Sequence, residues 1–137
     1  MTIYGIAFRQ GLFLAPLSGY TDWPMRMLCR RYGAELAYTE MISATGLVRR
    51  EKNTLTLLQR PAEDKPLIAQ IFSHDPQECG QAARILEDSG FDGIDINMGC
   101  PVKKVVTKGC GAALMKDPLR AQAIVEAVRS SVKLPLS

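Results

Sequence analysis

Residues 91–101 read FDGIDINMGCP. Ile94 and Ile96 alternate with polar neighbours at a period of two, the signature of a strand with one buried face. The alternation stops at Asn97, and Gly99 and Pro101 prevent it from continuing as regular structure. A strand that ends this way delivers Cys100 at its carboxyl end, in a turn shaped by glycine and proline. The fold is decided by what precedes and follows such a strand.

Working outward, short apolar runs alternate with capped helical stretches. Residues 66–72, PLIAQIF, read as the preceding strand. Between the two strands, Asp75 caps a helix, Pro76 suits its first position, and Glu78 closes a capping box. That helix runs to about Ser89, with Gly90 beyond its end. Earlier, residues 12–16 (LFLAP) form a strand. In residues 19–33, Thr21 and Asp22 start a helix, Pro24 lies in its first turn and Gly33 stops it. Residues 35–41, ELAYTEM, form the next strand. After Cys100 comes a loop rich in glycine and lysine. Asp117 before Pro118 then repeats the cap for residues 116–132, and residues 134–137 (LPLS) begin a fifth strand.

This alternation implies right-handed βαβ units and a parallel sheet covered by helices. Doubly wound sheets and (β/α)₈ TIM barrels both satisfy it. Ser18, Glu40, Gln70 and Asn97 each follow an apolar run, and barrel active sites gather at the carboxyl ends of strands, which favours the barrel. No GxGxxG follows any strand, which weighs against a dinucleotide-binding open sheet. A whole barrel takes about 250 residues. The 137 residues are therefore read as the amino-terminal half of an α/β barrel, about four βα units, belonging to a larger protein.

Bulk properties set outer bounds. Composition is that of an ordinary globular domain, and the formal net charge is +3. This leaves room for an anionic partner, although the basic residues are spread along the chain. Cys29, Cys79, Cys100 and Cys110 are too few and too scattered for a disulfide framework. No CxxC pair occurs, and the single His74 has no second ligand at metal spacing, so no zinc site is expected. The first nineteen residues lack a charged leader with a long apolar core, and LFLAPL is too short to span a membrane. A soluble, cytoplasmic protein with reduced thiols is expected.

Most candidate residues have two readings. Cys29 and Cys79 fall inside helical stretches and read as small buried hydrophobes, and Cys110 reads as part of a turn. Cys100 could also be a buried hydrophobe, but its place at a strand terminus suits a working residue. An unperturbed thiol has a pKa of about 8.5 and is mostly protonated at neutral pH. The only histidine follows a different strand, so Cys100 fits a proton donor better than a nucleophile. Gln70 and Asn97 are amides that could contact a ring carrying imide groups or cap loop backbone. The APLSG stretch offers backbone amides and close approach at Gly19, or is a plain turn. Lys103, Lys104 and Lys108 form the densest basic patch, either solvated or facing a phosphate backbone. Arg49, Arg50 and Lys52 read as a solvated helical face, and His74 as a loop histidine.

Taken together, LAPLSGYTD, YTEM, AQIF and DGIDINMGCPVKKVVTKGCGAALMKDP resemble the tRNA-dihydrouridine synthase family, most of all its bacterial B-type branch. The resemblance runs from about Phe13 to Ser137. It implies an FMN-dependent barrel, reduced by NADPH and followed by a small helical domain that holds tRNA. It further implies that a uridine is flipped out of the tRNA, that hydride reaches its C6, and that Cys100 protonates C5. Pro16, Leu17, Ser18 and Gln70 match the family's flavin contacts. Asn97 matches the asparagine beside the pyrimidine, and the nearness of Lys103 and Lys104 to Cys100 in the sequence suits contact with the phosphate backbone of such a substrate. Family members continue with a lysine-bearing strand and phosphate-binding loops. Residues 1–137 alone are thus expected to expose strand edges, and neither to retain FMN nor to reduce tRNA. Two other readings stand beside this one: a related FMN barrel dehydrogenase acting on a free pyrimidine, and a half-barrel without catalysis.

Overall fold

The computed structural model describes all 137 residues. It opens with an antiparallel hairpin, β1 (Thr2–Ile3) and β2 (Ile6–Ala7), which the sequence pattern does not reveal because each strand has two residues. The main sheet is five-stranded and parallel, built from β3 (Phe13–Leu14), β4 (Leu36–Tyr38), β5 (Ile42–Ser43), β6 (Leu67–Phe72) and β7 (Gly93–Ile96). Leu136 adds a parallel bridge to Ile94, where LPLS is expected to begin a strand.

The strand expected over residues 35–41 is interrupted. β4 and β5 both lie along the same side of β6, Ala37 opposite Leu67 and Ile42 opposite Ile71. Between them the buried Thr39 hydroxyl accepts the Gln70 N–H at 3.0 Å, so a side chain takes over one rung from the backbone. Across the sheet, β3, β4 with β5, β6, β7 and residues 135–137 follow one another in chain order. The architecture is mixed α/β with a parallel sheet, compatible with an arc of a TIM barrel.

Period two sorts the strand residues onto two faces. Leu67, Ala69, Ile71, Ile94 and Ile96 join the main core with α4 (Pro76–Asp88) and α6 (Pro118–Ser131). Leu36 and Ile68 pack on the opposite face with Phe8, under the hairpin residues Ile3, Tyr4 and Ile6. α4 buries Cys79, Ala82, Ala83 and Leu86, an apolar stripe at helical spacing. Gly80 lets α6 approach closely: a Cβ there would lie 2.7 Å from Ser131 Oγ and 3.1 Å from Ala127 O.

Caps fall where the sequence places them. Asp22 accepts from Met25 N ahead of α1 (Trp23–Arg31), Asp75 from Gln77 N and Glu78 N, and Asp117 from Arg120 N. The capping box at Glu78 does not form. Its carboxylate instead takes the hydroxyls of Ser73 and Thr45, tying α4 to α2 (Ala44–Val48). Arg49, Arg50 and Lys52 do not share a helical face: α2 ends before Arg49, and Arg50 has φ +56° ahead of α3 (Lys52–Thr56). The glycine- and lysine-rich loop contains α5 (Lys103–Val106) and a 3₁₀ turn over Gly111–Lys116. α1 is clamped to the start of β6 by Asp64, fully buried, which accepts from Arg26 Nε at 2.8 Å and Arg30 Nε at 3.0 Å.

Candidate active site

The carboxyl ends of β3, β6 and β7 open onto one cleft of about 640 Å³, and it gathers Pro16, Leu17, Ser18, Gln70, Asn97 and Cys100. These residues come from three segments far apart in sequence, brought together because parallel strands end on the same side. Met41, Asp95, Met98 and Val102 also line it.

Cys100 is held from two directions. Its N–H donates to Asn97 Oδ1 at 3.0 Å, and its carbonyl accepts from Ala112 N at 3.0 Å. Behind it sits Gly111 at φ +59°, where a Cβ would lie 2.6 Å from Cys100 O. The KGCGAA segment is thus the backing of the cysteine turn. Cys100 is half-buried at the junction of two clefts. The second, about 420 Å³, shares Ser18, Met41, Cys100 and Val102 with the first and adds Lys104 and Lys108. Lys103 lies exposed at the start of α5 and lines neither cleft.

The amides are fixed in one network. Asn97 Nδ2 donates to Gln70 Oε1 at 2.9 Å, and Gln70 Nε2 donates to Asp95 Oδ2 at 2.7 Å. Asp95 Oδ1 accepts from the Ser137 hydroxyl at 2.6 Å, which also meets Tyr4 OH at 2.6 Å, and Tyr4 OH lies 3.0 Å from Tyr38 OH. Burial, reinforced by the Tyr4 hydrogen bond, pushes the Tyr38 phenol well above its ordinary value. Neither Asp95 nor Gly111 stands out in the sequence. Asp95 is findable there, because at two residues before Asn97 it must point to the same side of the strand.

In the APLSG turn, Leu17 N donates to Thr21 Oγ1 at 3.0 Å and Gly19 N to Glu40 Oε1 at 2.5 Å. The Gly19 amide is therefore engaged within the protein, while Leu17 and Ser18 expose their side chains to the cleft mouth. The other thiols differ from Cys100 in setting. Burial pushes Cys79 up to about 12 and raises Cys110 as well. All four cysteines are free, and no group of three or more His, Cys, Asp or Glu could hold a metal ion. No helix is long and apolar enough to cross a membrane.

A parallel α/β sheet with polar side chains converging at its strand ends defines the class of protein that binds ligands at that edge. The chain belongs to the dihydrouridine synthase family: the family described as Dihydrouridine synthase (Dus) matches residues 13–137. Among curated proteins it is 40% identical over 126 residues to the tRNA-dihydrouridine synthase B of Xanthomonas axonopodis pv. citri, covering 92% of this chain and 38% of that one. It is 39% identical over 126 residues to the tRNA-dihydrouridine synthase B of Pseudomonas aeruginosa, with the same coverage of 92% and 38%. Against the enzyme of the same name from Vibrio parahaemolyticus, identity is 37% over 137 residues, 100% of this chain and 42% of the relative. The chain spans about two fifths of the length of these relatives.

Proposed function

We propose that residues 1–137 form the amino-terminal part of a TIM-barrel catalytic domain that reduces uridine in tRNA to dihydrouridine. Two observations support the barrel. The strands run in chain order without the reversal that marks a doubly wound sheet, and the Gln70–Asp95 pair lies on the face opposite the helices, beyond the apolar cluster of Leu36 and Ile68. A closed barrel would enclose that face. The helical tRNA-holding domain of the family would follow the barrel.

The observation that carries the function is the convergence of Pro16, Leu17, Ser18, Gln70, Asn97 and Cys100 on one cleft. Its donor set fits the ring system of FMN. Each amide nitrogen of Gln70 and Asn97 uses one hydrogen within the network and keeps a second for a ligand. No lysine or arginine lines this cleft, so the residues present fit the ring but not the phosphate. An FMN held there, with NADPH as its reductant, would supply hydride chemistry to the uracil ring.

The chain's own residues have separate tasks. Pro16, Leu17 and Ser18 support the ring from the β3 end, and Gln70 orients it by hydrogen bonding. Asn97 fixes the Cys100 turn and faces the pyrimidine. Cys100 holds the proton delivered to C5, within a turn that Gly111 and Ala112 keep in place. Lys104, beside Cys100 in the second cleft, and Lys103 on the adjoining surface meet the phosphates of an RNA strand. A polymeric anion is the substrate such a rim suits, and the cytoplasm is where tRNA is met.

The test compares unmodified tRNA with free uracil, using the protein encoded by the whole reading frame that contains these residues. Dihydrouridine should form in tRNA, with little reduction of free uracil. Comparable turnover of both would instead favour a free-pyrimidine dehydrogenase. Residues 1–137 alone should not retain FMN, and a stoichiometric yellow complex from them would contradict the division of the site proposed here.

A further inference from the structure

The Asp95 carboxylate hydrogen-bonds to neither Asn97 nor the Cys100 turn, yet it stands at the head of the hydrogen-bonded run that reaches both. Gln70 and Asp95 are direct partners across β6 and β7, on the face opposite the helices. Gln70 is 7% exposed, so its amide has little recourse to water. The order of donors along this run is not arbitrary.

A carboxylate accepts hydrogen bonds and donates none, whereas a side-chain amide presents an acceptor at one end and a donor at the other. Facing Asp95 Oδ2, Gln70 must turn its Nε2 toward the carboxylate, at 2.7 Å. Its Oε1 then faces Asn97, which must answer with Nδ2, at 2.9 Å. Asn97 is left with Oδ1 for the Cys100 N–H, at 3.0 Å. On the far side of Asp95 stand only hydroxyls, those of Ser137, Tyr4 and Tyr38, which can rotate to either sense. The carboxylate at one end and the Cys100 N–H at the other, which only donates, are the two members of the run with a fixed polarity, and both demand the same orientation of the amides between them.

We infer that Asp95 is a positioning residue: its carboxylate, acting through Gln70 and in concert with the Cys100 N–H at the other end of the run, holds the end of the Gln70 and Asn97 amides that faces the cleft. The consequence for recognition rests on the flavin reading above. Both amides offer their spare N–H groups, so the cleft addresses the acceptor-bearing edge of a planar heterocycle, its carbonyl oxygens and unprotonated ring nitrogens. Reversing the amides would present oxygen to oxygen.

The experiment moves the carboxylate from one end of the run to the other in the 137-residue chain. Asn97→Asp alone places acceptors on both sides of Gln70, whose amide nitrogen can face only one of them. Oxygen then meets oxygen on one side whichever way the amide turns. Adding Asp95→Asn resolves this: the amide introduced at position 95 donates to Gln70 Oε1, and Gln70 Nε2 donates to the carboxylate at position 97, which still accepts from Cys100 N–H. Urea unfolding reads the energetics. Asn97→Asp should raise the unfolded-to-folded ratio roughly tenfold, the scale of one buried polar group left unsatisfied, and Asp95→Asn in that background should recover most of it. With Gln70→Met in place the recovery should vanish, because the relay is gone. NMR reads the orientation itself: Overhauser effects from the Gln70 amide protons should pass from the β-protons of residue 95 to those of residue 97 in the double variant.

Equal effects of Asp95→Asn with and without Asn97→Asp would overturn the inference. So would recovery that persists without Gln70, which would mean direct charge repulsion, or Gln70 protons that stay beside residue 95. If Asn97→Asp does not fold, regained cooperative unfolding in the double variant supports the inference and its failure to fold refutes it. Neither readout needs flavin or tRNA. A failure here therefore leaves the proposed reaction untouched, and a failure of that reaction leaves the amide orientation untouched.

Discussion

Gly111→Ala, with Gly109→Ala as its matched control, tests whether the second glycine of KGCG exists to make room for the cysteine turn. Both glycines have left-handed backbone, φ +73° at Gly109 and +59° at Gly111, so alanine at either suffers the same conformational strain, about 1–2 kcal/mol. Only Gly111 meets an obstacle. Its Cβ would stand 2.6 Å from Cys100 O, 3.0 Å from Val105 Cγ1 and 3.2 Å from Cys100 Cβ, whereas at Gly109 the nearest atom is His74 Cβ at 3.6 Å. Backbone oxygen cannot rotate away, so the turn must shift, and forced overpacking adds about 1–3 kcal/mol. Urea unfolding should show a loss of about 1–2 kcal/mol for Gly109→Ala and about 2–5 kcal/mol for Gly111→Ala. The Cys100 amide should also exchange with solvent faster in the second variant alone. Equal losses, with Cys100 exchange unchanged in both, would refute the idea that Gly111 backs the cysteine.

Further outcomes follow from the rest of the fold. Asp64→Asn leaves the buried Arg26 and the largely buried Arg30 without their shared carboxylate and should cost about 3–5 kcal/mol in urea unfolding; a loss under about 1 kcal/mol would show that water already solvates the pair. Alkylation of the native protein followed by mass spectrometry should label Cys100 and Cys29, while Cys79 and Cys110, buried and with raised pKa, should react only on unfolding; native labelling of Cys79 would contradict its place in the main core. Glu35 is held below its ordinary value of 4.5 by the N–H groups of Arg9 and Gln10, with Gly11 adding to them. Its contribution is therefore present above the ordinary carboxylate range and lost as pH falls through the lower folded value. The stability difference between the wild-type chain and Glu35→Gln should shrink as the medium is acidified, and a constant difference would argue against those hydrogen bonds.

The residues that announce themselves in the sequence are those whose chemistry is local. Asp22, Asp75 and Asp117 cap helices through N–H groups two or three residues away, and all three sit where the pattern puts them. The strand–helix alternation is legible for the same reason. Glu78 departs from its expected capping box because its partner Thr45 lies in α2, thirty-three residues away, and displaces the local backbone. The break between β4 and β5 is hidden likewise, since it depends on Thr39 reaching across to Gln70 N. At the site, Cys100 and Asn97 are visible as polar residues ending an apolar run, whereas Gln70, expected at a strand end, lies inside β6 with Ile71 and Phe72 beyond it. Asp95 is masked by its place inside an alternating strand, where a polar residue ordinarily faces water. The Asp64 clamp needs two helix positions and a loop residue at once, and no local pattern encodes that.

The most direct measurement concerns the proton. In the protein from the whole reading frame, Cys100→Ala should keep flavin and its oxidation of NADPH but lose most conversion of uridine to dihydrouridine, counted by mass spectrometry of digested tRNA. If Cys100 is the acid, hydride-side chemistry survives and only the completed product fails to appear. Undiminished dihydrouridine formation by that variant would remove Cys100 from the mechanism, whatever its place in the cleft.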